Sequence, residues 1–273
     1  MSEQRSPLCD FIYLDAPRVR SLAAQLQLEG GAGAIAADRV ADEALITALE
    51  PALEQQGGGM TKISPDFDFA NWTPESFKDG QFVRATGVVR IVDFAWLSAA
   101  LAGLPAVLKK MSKLEMDALR NSDEGRRMSK SALQQRSQEN QVAIAKVEEF
   151  RADELGDVVR KLYGDVIRIK VRPSPTDHPQ AVLVGSAYAE HFYDTPAALS
   201  QKYGVEIDAG WTVLAQLNIP NAAAAAQPLP TGNRMEDSFE QIALLMNNAF
   251  RLANAPAFPA ISFTPIAIYR TTR

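Results

Sequence analysis

The sequence contains few of the residues on which common enzyme mechanisms depend. A single cysteine, Cys9, stands among 273 residues, so no internal disulfide can form and a reducing compartment is predicted. Only two histidines occur, His178 and His191, too few for the usual zinc sites or for a mechanism that uses a histidine pair. These shortages argue against disulfide-stabilised secreted proteins and against histidine-based metalloenzymes.

Familiar motifs and long apolar runs are also missing. No G-x-S-x-G, H-E-x-x-H or G-x-x-x-x-G-K-[ST] pattern is present, so the commonest hydrolases, metalloproteases and P-loop proteins are not indicated. The longest apolar stretch, Phe94 to Leu108, is shorter than the roughly 20 residues of a spanning helix. The first ten residues lack the apolar run of a secretory signal. We therefore expect a cytoplasmic protein without a membrane partner.

Charge and composition are those of an ordinary globular chain. The apolar fraction is 47% and the charged fraction 22%, which indicates neither disorder nor a coiled coil. The net charge of −5 gives no overall attraction to nucleic acid or to anionic lipid. Binding to such a partner would have to come from a local patch.

Alternating strand and helix patterns predict the α+β class. In the C-terminal part, two strands joined by a proline-rich turn are followed by alternating helices and strands, a ββαβαβ order. A hairpin-linked opening pair favours a mixed or mainly antiparallel sheet with helices packed on one face over a doubly wound parallel sheet. The predicted elements are strands 166–171, 181–187, 211–219 and 261–270 and helices 196–203 and 235–252.

The N-terminal part predicts a strand at 11–14, helices near 19–30 and 35–56, an aromatic loop at 62–79, a strand at 82–91 and a helix at 94–119. Between residues 121 and 141 the chain becomes strongly polar, which indicates a solvated helix or connection. We therefore expect two α+β halves, 1–120 and 158–273, joined by a long polar helical segment at 121–157.

A basic segment between Lys109 and Arg136 contrasts with the acidic remainder of the chain. Eight lysines and arginines face four acids there, and on a helix some of them would form a basic stripe for phosphates or for an acidic partner. No aromatic residue interleaves the segment, so stacking on single strands is not indicated. A solvated surface helix is the alternative. The candidate partner-binding residues are Lys113, Arg126, Arg127 and Lys130.

Two glycine-rich stretches are candidates for binding anions. Gly57, Gly58 and Gly59 with Lys62 could offer backbone N–H groups and a cation to a phosphate, although a helix end followed by a loop is the simpler explanation. Residues 31–36 match G-x-G-x-x-A, but the motif follows a predicted helix and not a strand, which indicates a plain turn and not a dinucleotide site.

Asp66 and Asp68 are the candidate metal ligands. At a spacing of two residues on an extended segment, both carboxylates would face one way, as a divalent cation requires. The alternating Phe67 and Phe69 are also the ordinary pattern of a half-buried strand or loop with its acids in water, which is the preferred interpretation. No metal or other cofactor is predicted.

Short motifs give the chain a family resemblance. The strand F-I-Y-L-D at 11–15 and the helix S-x-x-A-Q-L at 21–26 resemble the opening of an uncharacterised bacterial domain family. The runs G-V-V-R-I-V-D at 87–93, L-S-Q-K-Y-G at 199–204 and W-T-V-L-A-Q-L at 211–217 are similar in character. The resemblance implies no known activity and no catalytic residue. It implies an occurrence in mobile or antiviral-defence regions of bacterial genomes, which favours partner binding or sensing.

From the sequence we expect a non-enzymatic cytoplasmic interaction or regulatory protein that presents segment 109–136 to a protein or nucleic-acid partner. One alternative is a metal-dependent enzyme acting on nucleic acid or a nucleotide, with Asp66 and Asp68 near the glycines at 57–59. A second is a small-molecule sensor with a pocket between the halves lined by Trp72, Trp96 or Trp211. The aromatic patterns also predict that Trp96 and Trp211 are buried.

Overall fold

A computed structural model describes residues 9–28, 39–55, 59–149, 151–164, 166–204, 206–218 and 258–271. Its strands are β1 (Cys9–Leu14), β2 (Thr61–Ile63), β3 (Phe82–Asp93), β4 (Ile167–Arg172), β5 (Val182–Ala187), β6 (Glu206–Leu217) and β7 (Ala260–Thr271). Its helices are α1 (Ala16–Gln25), α2 (Arg39–Gln55), α3 (Phe94–Asn121), α4 (Asp123–Arg127), α5 (Lys130–Glu149), α6 (Ala152–Tyr163) and α7 (Pro196–Tyr203). By internal contacts the chain divides into two compact units, residues 1–92 with 166–273 and residues 93–165.

The strands of the first unit close into a barrel. β3 is hydrogen-bonded to β4, β4 to β5, β5 to β7, β7 to β6, and β6 back to β3. The β5–β7 pair is parallel, whereas the β4–β5, β6–β7 and β3–β6 pairs are antiparallel. β1 and β2 extend the sheet by pairing with β7 and β3. The long strands β6 and β7 make closure possible, because β6 pairs with β3 on one edge and with β7 on the other, and β7 also pairs with β5 and then β1 along its length.

The barrel interior is filled by alternate residues of its strands. On β3 the inward positions Val83, Ala85, Val89 and Ile91 are buried, while the residues between them are half-buried. This period of two is what a pleated strand with one face in the core requires. Aromatic residues of the 64–77 loop, including Trp72 and Phe77, join the same core, and the Trp72 indole donates to the Pro259 carbonyl at 2.8 Å.

A second apolar cluster lies between the barrel and the helices α1 and α2. Val19 and Ala23 of α1 and Leu49 of α2 are buried there with Leu214 and Ile266 from the barrel strands. α1 begins after Asp15, whose side chain accepts a hydrogen bond from the Arg18 backbone N–H at 3.1 Å; such a cap satisfies an otherwise unpaired donor. One side of the barrel is therefore covered by helices.

The second unit, residues 93–165, is a helical hairpin. α3 runs out, α4 turns the chain, and α5 and α6 return alongside α3. Gly156 of α6 approaches α3 so closely that an added Cβ would lie 2.8 Å from the Ser98 carbonyl oxygen, and the Ser98 hydroxyl donates to the Gly156 carbonyl at 2.9 Å. Near the start of α3, the rings of Phe94 and Tyr163 stack with centroids 4.1 Å apart. The absence of a side chain at Gly156 allows α6 to approach α3 this closely.

The predicted α+β class and mixed sheet are confirmed, and helices α1 and α2 cover one face of the sheet. The chain is organised differently from the predicted division at 120/121 and 157/158. Strands from before and after the helical segment share one sheet, and the compact helical unit spans 93–165. The polar residues 121–141 form the tip of the hairpin and part of its return helix α5. The apolar outgoing helix α3, which was predicted to belong to the N-terminal half, is part of the same unit. The predicted helix 235–252 lies outside the described residues.

Candidate functional site on the outer face of the barrel

A basic stripe runs along the outer side of β4. The strand reads I-R-I-K-V-R, and its isoleucines and valine at 167, 169 and 171 face the barrel interior. Alternation therefore places Arg168, Lys170 and Arg172 on the outer side. Arg168 is buried, whereas Lys170 is exposed and Arg172 is half-buried. No sequence-based prediction singled out these cations, although their spacing of two is visible in the sequence.

The stripe continues onto β3 through Arg90, with Glu206 as its counter-ion. Arg90 and Glu206 lie opposite each other in the β3–β6 ladder and form an ion pair. The same carboxylate oxygen of Glu206 accepts a hydrogen bond from Arg172 at 2.6 Å. The Arg90 Nε is buried and has no hydrogen-bond partner. Arg90 and Arg172 thus share one acid, and Lys170 adds an exposed cation on the same side of β4.

Exposed aromatic residues stand at the two ends of β5, the neighbour of β4. Tyr188 directly follows the strand and is 63% exposed, and Phe258 is 46% exposed. Phe258 lies two residues before Ala260, which pairs with Val182 at the start of β5. By the parallel register Phe258 is level with position 180, so it and Tyr188 are eight positions apart along β5, about 26 Å. Tyr188 contacts the His191 ring edge-on, with centroids 6.1 Å apart, and exposed tyrosine and phenylalanine rings can stack on bases.

A polar cavity of about 530 Å³ lies beside α1. Arg18 extends into this region and donates to the Gln216 side chain of β6, whose amide nitrogen donates to the Gly80 carbonyl at 2.8 Å. Ser21 and Gln25 come from the S-x-x-A-Q-L run that carries the family resemblance. The lining side chains are Arg18, Ser21, Leu22, Gln25, Leu26, Leu53, Phe82 and Gln216. The size is suitable for a small molecule.

A smaller cavity, of about 190 Å³, lies between α2 and the strands. Glu50 accepts a hydrogen bond from the Tyr269 hydroxyl and lies 3.3 Å from Arg84 Nε. Burial, together with the charge of Glu50, raises the pKa of Tyr269 well above its usual range. The cluster links α2 to β3 and β7, although the buried Arg84 Nε makes no hydrogen bond.

The predicted partner-binding residues are exposed on the helical unit. Arg126 and Arg127 lie on α4 at the tip, Lys130 begins α5, and Lys113 lies two turns before the end of α3. Nearby acids offset part of the predicted charge, because Arg126 is 3.9 Å from Asp123 and Arg136 is 3.6 Å from Glu115. The function predicted for segment 109–136 remains a prediction.

The other predicted site residues have local partners or lie outside the described part. Gly57, Gly58 and the 31–36 run are outside it. Gly59 is exposed with a positive φ of 62°, and Lys62 pairs with Glu54 at 2.8 Å, so its charge is already balanced.

Asp66 and Asp68 lie in a turn region and not on a strand. Asp68 accepts hydrogen bonds from the Ala70 backbone N–H and from the Asn71 side chain, at 3.1 and 2.9 Å, so it stabilises a helical turn. Within the described residues, no group of three or more histidine, cysteine, aspartate or glutamate side chains is placed to hold a metal ion.

The three tryptophans differ in their surroundings. Trp72 and Trp211 belong to the barrel core and are 8% and 2% exposed. The prediction that Trp96 is buried is wrong, because its side chain is 59% exposed. It lies on the side of α3 that none of the described helices of the hairpin covers, a relationship that the periodicity of one helix does not reveal.

One helix in the described part of the chain, α3, is long and apolar enough to cross a membrane by length and composition, and only 6% of its most apolar window is buried. Such a helix is weak evidence by itself.

The order of the strands around the barrel follows a Greek-key pattern. Around the ring the strands lie in the order β3, β4, β5, β7, β6. If β3 is counted as the first strand of the barrel in chain order, this is the order first, second, third, fifth, fourth, and helix α7 connects the third strand to the fourth. This is the connectivity of the OB-fold, a five-stranded Greek-key barrel. Comparisons of the chain with family models, with curated proteins and with solved structures found no match.

Proposed function

We propose that this chain is a non-enzymatic cytoplasmic interaction protein that binds single-stranded nucleic acid on the outer face of β3, β4 and β5. The observation that carries the proposal is the combination of Lys170, Arg172 and Arg90 on one barrel face with exposed aromatic residues at both ends of β5. Single strands bind where a basic groove follows the backbone and aromatic rings stack on bases.

The connectivity of the barrel also supports the outer face of β3, β4 and β5 as the proposed binding surface. OB-folds bind oligonucleotides or oligosaccharides on the second and third strands and with the loops after the first and fourth strands. The second and third strands here are β4 and β5. Residues 93–165 stand in chain order where the first of those loops would be. Arg126, Arg127 and Lys130 of that segment keep their separate prediction as partner contacts. Fold alone does not determine function, and the proposal depends on the side chains.

The test is binding of a labelled oligodeoxythymidine of about 12 nucleotides, a length within the range of single OB-folds, measured by fluorescence anisotropy. Lys170→Ala should weaken binding and reduce the slope of log affinity against log salt by about 0.7, the value for one phosphate contact. Tyr188→Ala should weaken binding about fivefold or more by loss of stacking.

The matched control is Lys78→Ala, an exposed lysine in the loop before β3, which should leave affinity and salt slope unchanged. The proposal fails if the protein binds no oligonucleotide at low salt, or if the Lys78 and Lys170 variants bind equally. A regulatory role in a defence system stays a prediction from the family resemblance.

A second candidate function is small-molecule sensing in the cavity beside α1. Among the described residues that line it, Arg18 is the one cation and none is acidic, so a small anion with a polar body is the ligand class that fits. Thermal-shift measurements with a panel of nucleotides and carboxylic acids would detect it. A stabilising compound should lose its effect in Arg18→Met.

A further inference from the structure

The two exposed rings at the ends of β5 are far apart on the same face of the barrel. Tyr188 and Phe258 are eight positions apart along the strand, about 26 Å, and they are 63% and 46% exposed. One base cannot contact both rings, whereas one single strand of suitable length can. The distance between the rings therefore carries information about the ligand.

The backbone beside each ring is held in place. The Tyr188 carbonyl accepts a hydrogen bond from the His191 backbone N–H at 3.2 Å, and the Tyr188 ring contacts the His191 ring edge-on. At the other end, the carbonyl of Pro259, next to Phe258, accepts a hydrogen bond from the Trp72 indole at 2.8 Å. Rings on a fixed backbone lose less conformational entropy when a ligand binds.

A cation lies midway between the two rings. Lys170 is opposite Val184 in the β4–β5 ladder, four positions from Tyr188 and four from the level of Phe258, about 13 Å each way. Lys170 is exposed and Val184 is buried, so the lysine is the one of these two side chains that meets solvent at the midpoint. A phosphate in the middle of a bound strand thus has a cationic partner.

We propose that Tyr188 and Phe258 form a clamp that stacks on two separated bases of one single strand, with Lys170 at a phosphate between them. The inference rests on the proposed oligonucleotide face and adds the spacing of the bases that this face binds. Its ligand is a single strand that places two bases about 26 Å apart. The bases between those two need no aromatic partner.

The spacing of the rings determines which pairs of bases fit the clamp. A stacked strand advances about 3.4 Å per nucleotide, so about 26 Å corresponds to roughly eight steps. A stretched strand needs fewer steps, because an extended chain covers about 3.8 Å in three bonds, and the six backbone bonds of a nucleotide therefore cover about 7.6 Å. Adjacent bases reach only one ring, whereas bases roughly four to eight steps apart reach both.

Two stacking contacts on one strand increase affinity more than one. Once the first base is stacked, the connecting backbone keeps the second base at a high effective concentration near the other ring, provided that the connection can span the distance. A strand whose bases are adjacent gains nothing from the second ring. The clamp therefore predicts a preference for widely spaced bases at constant length and charge.

The experiment compares two labelled strands of equal length and charge by fluorescence anisotropy at low salt. Each strand is about ten nucleotides long and carries two thymines among abasic sites. The thymines are about seven steps apart in one strand and adjacent in the other. The full chain should bind the widely spaced strand about fivefold tighter or more, the usual value of one base-stacking contact. Tyr188→Ala and Phe258→Ala should each abolish this preference.

Three further variants separate the clamp from other contributions to binding. Tyr188→Phe keeps the ring and should keep the preference. Lys170→Ala should weaken both strands alike, because they have the same phosphates, and should leave the preference unchanged. Trp96→Ala removes a ring that is 59% exposed on the helical unit and should change neither the affinity nor the preference. Circular dichroism checks that all variants fold.

The outcomes distinguish the clamp from the proposed function on which it rests. Equal binding of the two strands, or a preference that survives in Tyr188→Ala or Phe258→Ala, overturns the clamp. The oligonucleotide face stands in that case if oligodeoxythymidine still binds in a manner that depends on Lys170. If oligodeoxythymidine is not bound at all, the proposed function fails and the clamp fails with it.

Discussion

Glu206 lies directly opposite Arg90 in the β3–β6 ladder, and its carboxylate also accepts a hydrogen bond from Arg172 on β4. One acid thus links three strands of the barrel at the face proposed for oligonucleotides. It balances part of the positive charge there, so its removal should affect binding and stability in opposite directions.

Glu206→Gln should tighten oligonucleotide binding about fivefold at low salt. The change removes a charge that repels phosphate by about 1 kcal/mol at contact distance in water. The free energy of unfolding should fall by at most about 1 kcal/mol, because the ion pairs are partly exposed. Anisotropy titrations and urea unfolding measure the two effects. Glu75→Gln, at an exposed position before β3, is the control, and weaker binding by the Glu206 variant would contradict the proposed face.

Gly185→Ala should destabilise the barrel by about 1–3 kcal/mol, the usual cost of overpacking a core. A Cβ at this position on β5 would lie 2.6 Å from the Phe263 ring, inside a closed barrel whose opposite walls limit rearrangement. Urea unfolding followed by circular dichroism gives the value. Ser186→Ala, at the exposed neighbouring position, should change stability by no more than about 0.5 kcal/mol. Equal stability of the two variants would show that Phe263 moves aside freely.

Gly156→Ala should loosen the helical hairpin and leave the barrel intact. The new Cβ would lie 2.8 Å from the Ser98 backbone oxygen, and backbone cannot rotate away as a side chain can. We expect the amides of α3 and α6 to exchange hydrogen faster, by about tenfold or more for a cost of about 1.4 kcal/mol, while those of β6 keep their protection. Ser98→Ala, which removes only the hydroxyl, should have a smaller effect, and unchanged exchange in Gly156→Ala would refute the close contact.

Several strands and helices were predicted from local patterns, because their formation depends mainly on residues that are close in the sequence. The strand predicted at 181–187 is β5, Val182–Ala187, and the helix predicted at 196–203 is α7 with the same bounds. Proline at its first position and Gly204 after it define this helix from the sequence alone. The aromatic loop predicted at 62–79 packs on the core, where Trp72 and Phe77 are buried.

Closure of the barrel could not be predicted in the same way. It depends on β6 pairing with β3 on one edge and with β7 on the other, and a period of two shows which residues face inward but not which strand lies beside them. The candidate face was missed for a related reason. The alternating cations of β4 are visible in I-R-I-K-V-R, but their meeting with Arg90 and Glu206 depends on pairing across distant segments. Trp96 was assigned to the core because its helix is apolar on two sides.

The stability of the barrel should fall steeply above about pH 10, the ordinary pKa of tyrosine. Burial raises the pKa of Tyr269, as does the adjacent Glu50, and burial also raises the pKa of Tyr13. The folded state therefore favours the neutral phenols, so their contribution is fully present below the unfolded pKa and is lost as the pH rises through the folded pKa. In Tyr269→Phe the slope of unfolding free energy against pH above about pH 10 should be shallower by up to about 1.4 kcal/mol per pH unit. Urea unfolding at a series of pH values measures it, and a Tyr269→Phe slope equal to that of the unmodified protein would show that this hydroxyl titrates alike in both states.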